Sequence, residues 1–151
     1  MRKAIRMLVV VCAVSLVGMA VLGPARTNPP TDSADAIDLV AHVPPDVSAI
    51  LDRSCRDCHS NETRWPWYSR IPPGSVFVID HVNEGRRHMN FSKWGTYDVE
   101  DAREFLVDMC ALARKRDMPL ASYTWIHRDA PLSEQDIAAL CAWTEVERRR
   151  Q

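Results

Sequence analysis

Cys55, Arg56, Asp57, Cys58 and His59 form a CxxCH motif. Two thiols at this spacing can each add to one vinyl group of a porphyrin, because a helical turn carries both sulfurs to the same edge. The histidine that follows offers its imidazole to the iron as an axial ligand. With five Cys and five His in the chain, shuffling would produce this pattern in roughly 0.5% of cases. The motif therefore points to one covalently attached haem c per chain, with Cys55 and Cys58 as the attachment sites and His59 as the proximal ligand. Two other chemistries compete for the same residues. A zinc site could join Cys55 and Cys58 to Cys110 and Cys141, but the latter two are 31 residues apart, not a second close pair. A dithiol redox centre would need a βαβ context, and the sequence has none.

Helices must position these groups. Val47, Ile50, Leu51, Cys55 and Cys58 recur at three- and four-residue steps, a stripe that starts after Pro45 and runs into the Cys pair. Asn61 to Gly74, with three prolines and three large aromatics, excludes regular structure and reads as an ordered loop. Ser75 to Glu84 reads as a short helix, with Ser75 as its N-cap and Gly85 as its stop. Asp98 to Lys115 is amphipathic and ends at Asp117-Met118-Pro119. A last helix starts at Ser133, with Asp136 completing a capping box. No strand emerges, so the fold class is small and all-α.

Residues 7 to 23 run for seventeen residues without a charge, behind Arg2, Lys3 and Arg6. Residues 1 to 26 thus read as a signal anchor or a signal peptide, with the membrane contacted through residues 5 to 23. The basic head predicts a cytoplasmic N-terminus and an exported remainder. The net charge of −1 conceals this division: the first 26 residues carry four bases and no acid, and the rest carries 15 bases against 20 acids. An acidic exported part excludes nucleic acid as a partner. Residues 27 to 44, rich in Pro, Asp, Ala, Ser and Thr, read as a linker that lifts the domain off the membrane. The domain itself spans 45 to 151. In an oxidising compartment Cys110 and Cys141, on inward helix faces, are a candidate disulfide; buried free thiols are the alternative.

From Val43 to Trp143 the chain resembles the bacterial haem-binding domain family. The resemblance rests on VPPDV at 43 to 47, CRDCHSNETRWPWYS at 55 to 69, EGRRHMNFSKW at 84 to 94, MPLASYTWIH at 118 to 127, and the segment from Leu132 to Trp143. The order of elements is also similar to small class I c-type cytochromes, which implies a helical domain around one haem, preceded here by the N-terminal membrane segment. Met118, in a turn stiffened by Pro119, is then the candidate distal ligand, with His88 as the alternative and His127, Met89 and Met109 as weaker ones. An open, five-coordinate iron is a further option. The likeness implies that His59 donates its second ring N–H to a carbonyl near Pro72. Trp65, Trp67 and Tyr68 become candidates for the haem wall, with ordinary packing as the competing reading. Arg64, Arg70, Arg86 and Arg87 become candidates for neutralising the propionates.

The expected function is a membrane-tethered monohaem protein that transfers single electrons in the periplasm, at the bacterial inner membrane, or exported freely if the signal is cleaved. Its partners would be haem, the cytochrome c maturation machinery and a redox protein. The alternative is a haem-based sensor or carrier with an open or labile distal site. A single-haem peroxidase is a third and weaker reading, since no distal acid/base pair is evident.

Overall fold

The computed structural model describes every residue from Met1 to Gln151 and contains eight α-helices, three 3₁₀ turns and no strand. The first helix, α1 (Arg2–Leu22), has no buried residue and is long and apolar enough to cross a membrane. At about 1.5 Å per residue it reaches the thickness of a hydrocarbon core.

Residues 27 to 44 are not the stalk that their composition predicts. Asn28 donates to the Thr63 carbonyl at 3.0 Å and accepts from Trp65 Nε1 at 3.0 Å, while Arg86 reaches the Thr27 carbonyl at 2.8 Å. A 3₁₀ turn (Ser33–Asp35) and a one-turn helix, α2 (Ile37–Val40), follow. Ile37 and Ala41 are fully buried in the main core, and Trp143 Nε1 donates to the Ala41 carbonyl at 3.2 Å. The segment is a strap folded onto the domain. Its polar look arises because its bonds run through backbone carbonyls and short amide side chains.

Helix α3 (Pro45–Ser54) begins with Pro at its first position, where the missing N–H costs nothing, and buries Val47, Ile50 and Leu51. It breaks at Cys55 (φ −130°, ψ −43°), and α4 (Arg56–His59) carries the rest of the motif. The loop after it contains a 3₁₀ turn at Trp67–Arg70.

Helix α5 runs from Gly74 to His88, so Ser75 does not cap it and Gly85 does not end it. The reason lies in packing. A Cβ on Gly85 would stand 2.6 Å from the Cys58 carbonyl oxygen, closer than real atoms approach. Gly85 is there because the helix backbone lies directly on the Cys58 peptide.

Helix α6 (Val99–Lys115) is capped by Asp98, which accepts from the N–H groups of Glu100 and Asp101. It ends at Arg116 in the left-handed region (φ 62°), one residue before the predicted stop. The Asp117 and Met118 N–H groups both turn back to the Leu112 carbonyl, at 3.0 and 3.3 Å. Arg116 tolerates this backbone while its guanidinium donates to the Leu132 carbonyl and pairs with Glu134. The short helix α7 (Ala121–Ile126) follows, and then α8 (Glu134–Arg150), whose Ser133–Asp136 capping box is complete. Helices α6 and α8 form the central pair, burying Leu106, Met109 and Ala113 against Ile137, Leu140 and Cys141. A disulfide joins Cys110 to Cys141 across them, with Cα atoms 4.8 Å apart.

Candidate functional site

The break between α3 and α4 leaves Cys55 and His59 on the wall of a cleft between the motif, the end of α5, α6 and the turn after α6. Its inner part, about 60 Å³, is almost wholly apolar and is lined by Phe91, Phe105, Met109, Leu112 and Leu140. It shares Cys55, His59, His88, Met118 and Pro119 with an outer part of about 410 Å³ that also takes in Cys58 and Tyr123. Together these fall within the size range of cofactor sites.

His59 is oriented by one bond: its Nδ1 lies 3.1 Å from the Met89 carbonyl oxygen. A carbonyl can only accept, so Nδ1 carries the proton and Nε2 keeps its lone pair. Burial holds the ring pKa below its usual value, against the opposing pull of the Met89 carbonyl, and the neighbouring His88 adds to the lowering. A neutral imidazole with a free Nε2 is the form that binds iron. The orienting carbonyl is thus not near Pro72, which belongs to the turn before α5 and does not line the cleft. Met89 is positioned by its neighbour. Asn90 donates from its side chain to Asn61 Oδ1 at 2.9 Å, and its N–H donates to the Tyr97 hydroxyl at 2.8 Å. Asn61 in turn donates its backbone N–H to Ser92 Oγ at 3.0 Å. This buried polar lattice escaped the sequence reading, because short polar residues in a loop leave no periodic signal.

Burial, followed by the charge of Cys58, pushes the Cys55 thiol up to about 12, and burial with the neighbouring Asp57 pushes Cys58 up to about 11. Both are protonated thiols at neutral pH. Cys110 and Cys141 are consumed by their disulfide, so the four-cysteine zinc arrangement is excluded. No group of three or more His, Cys, Asp or Glu side chains is placed to hold a metal ion.

Met118 and His88 both line the cleft on which His59 lies, as do Met89 and Met109. His88 is exposed, with Nε2 3.9 Å from Asp108 Oδ2. His127 is elsewhere, bonded to the Tyr68 hydroxyl at 2.6 Å in a neighbouring cavity of about 270 Å³ behind Cys58. The structure does not bring the loop aromatics to the cleft. Trp65 is bound to Asn28, Trp67 projects into solvent, and Tyr68 faces the neighbouring cavity. Arg64 holds Asp57 at 3.2 Å, Arg86 donates to the Ser60 carbonyl at 2.7 Å, and Arg87 pairs with Glu84.

Asp57 also escaped notice. Although it lies inside the motif and is buried, it accepts from the Arg64 N–H and Nε and from the Tyr123 hydroxyl at 2.8 Å. Burial and the bond to Asp57 drive the Tyr123 pKa upward, so its phenol stays protonated and tethers α7 to the motif. A neutral imidazole beside two thiols, on a cleft whose inner wall is apolar and which a thioether also lines, suits an iron porphyrin. A family model described as a haem-binding domain matches residues 14–146. No curated protein and no solved structure gives a match.

Proposed function

The chain belongs to the haem-binding domain family, and we propose that it carries one haem c bonded to Cys55 and Cys58, with His59 and Met118 as axial ligands, and transfers single electrons. The observation that carries this reading is His59, neutral and fixed through Nδ1 to the Met89 carbonyl, on a cleft that Met118 also lines. When bound, the haem supplies the one-electron couple. The residues of the chain do the rest. The Met89 carbonyl orients the imidazole and raises its basicity, while the apolar inner wall excludes water and so favours the less charged, reduced state.

In this reading residues 1 to 26 are an uncleaved anchor with the N-terminus in the cytoplasm, and the domain lies in the periplasm of a bacterial inner membrane. The disulfide fits that oxidising compartment. Attachment then depends on the cytochrome c maturation machinery, and a redox protein receives or supplies the electron. A carrier or sensor with a labile distal site is the second reading, favoured by the presence of both Met118 and His88 on one cleft.

The test is spectroscopic. After denaturation in acidified organic solvent, haem should remain on the wild-type chain, and extraction of all haem would refute covalent attachment. Met118→Ala should lose the sulfur-to-iron charge-transfer band and gain carbon monoxide binding. Carbon monoxide binding by the wild type would favour the second reading.

A further inference from the structure

Five large apolar side chains project into solvent near one end of the domain: Trp67 and Ile71 on the loop after the motif, Phe77 on α5, and Trp125 and Ile126 on α7. They converge because Phe77 and Ile126 edge the same cavity, and the Tyr68–His127 bond draws the Trp67 loop to the end of α7. Apolar surface left in water is unfavourable in proportion to its area, so a partner that covers all five is favoured.

The path of the chain says what covers them. Just past the end of α1, a Cβ built on Gly23 would stand 3.9 Å from Val76 Cγ2, in the first turn of α5. Three residues further, the Arg26 guanidinium donates to the Ser69 carbonyl at 2.9 Å, within the 3₁₀ turn that carries Trp67. The end of a membrane-spanning helix lies at the lipid headgroups. Val76 directly precedes Phe77 and Ser69 shares the turn of Trp67, so this side of the apolar collar lies beside the end of α1 and hence beside the headgroups. Trp is enriched at that depth, and Phe and aliphatic side chains accompany it on surfaces that lie in the interface.

We propose that the collar of Trp67, Ile71, Phe77, Trp125 and Ile126 seats the domain in the interface of the membrane that holds α1. The proposal rests on α1 being retained as an anchor, and it does not depend on haem.

The test is alkylation by a charged, water-soluble maleimide of the full haem-loaded chain in phospholipid nanodiscs, read peptide by peptide by mass spectrometry. Ile71→Cys and Trp125→Cys are compared with Val99→Cys and Val107→Cys on α6, which are similarly exposed in the structure: 54% and 73% against 51% and 49%. Thiols at 71 and 125 should react at least about tenfold more slowly than those at 99 and 107, because a lipid-covered thiol is neither ionised nor reached. Equal rates would overturn the proposal. Adding Phe77→Glu to the Ile71→Cys chain should restore fast labelling at 71; continued protection would point to local burial and also overturn it. Cys12, within α1, reports insertion: fast labelling there removes the anchor and the proposal together. Labelling of Cys55 and Cys58 reports separately on haem attachment.

Discussion

Single atoms decide how the motif is held. Gly85 has an ordinary helical backbone, yet its missing Cβ leaves room for the Cys58 carbonyl. Gly85→Ala is therefore expected to force α5 away from the motif and to cost about 1 to 3 kcal/mol, as overpacked sites do. The midpoint of urea denaturation measures the cost, and an unchanged midpoint would contradict the contact. The Gly type was visible in the sequence, but its reason was not. A glycine that ends a helix and one that admits a neighbouring backbone look alike until the neighbour is known. Cys55, His59 and Met118 are easier to propose from sequence, since vinyl addition and iron ligation demand particular atoms at particular spacings. The carbonyl serving His59 could not be named, because every residue has one.

Periodic apolar stripes with caps made α6 and α8 legible to within a residue or two, and their covalent link adds a measurable increment. Reducing Cys110–Cys141, or replacing both by Ser, opens a 31-residue loop. The loop-entropy relation then predicts a loss of about 3 to 4 kcal/mol. Urea denaturation with and without reductant should show that difference, and the double Ser variant should be indifferent to reductant.

Asp136 in the α8 capping box is held below the usual carboxylate range. Burial opposes this, but bonds from Arg53 and Ser133 outweigh it. Its folded pKa is thus depressed, so its stabilising effect is complete above the unfolded value of about 4 and fades as pH falls through the folded one. Asp136→Ala should cost about 1 kcal/mol at neutral pH, and the gap to wild type should close in acid. The one-turn helix α2 and the six-residue α7 had too few turns to reveal a period, and the packing of Ile37 and the Tyr123–Asp57 bond, not propensity, hold them.

The chain as one body depends on the strap. Thr27 and Asn28 share Arg86 as a common donor, which also reaches Thr63 Oγ1 at 2.7 Å. Arg86→Ala should loosen this segment without touching the cleft walls. Trypsin cleavage after Arg26 in nanodiscs should be slow in the wild type and at least about tenfold faster in the variant, since proteolysis follows local opening. Equal rates would show that the strap is held by other contacts. Composition misled here, because Pro, Asp and Asn serve a solvated tether and a polar strap equally well.

With the strap in place, only Gly23, Pro24 and Ala25 separate the end of α1 from the first residue bonded to the domain. Three extended residues span about 10 Å, whereas an unfolded stretch of eighteen would allow roughly 60 Å. A redox protein on a long tether searches for its partners by sweeping a hemisphere above the membrane. If this chain is the anchored electron carrier proposed above, it has almost no search volume of its own. Its encounters would then be set by how fast the partner diffuses and by whether that partner can approach a cleft held at one height and one tilt. Inserting flexible residues after Ala25 should therefore give the domain a search volume of its own and free both the height and the tilt at which the cleft is met.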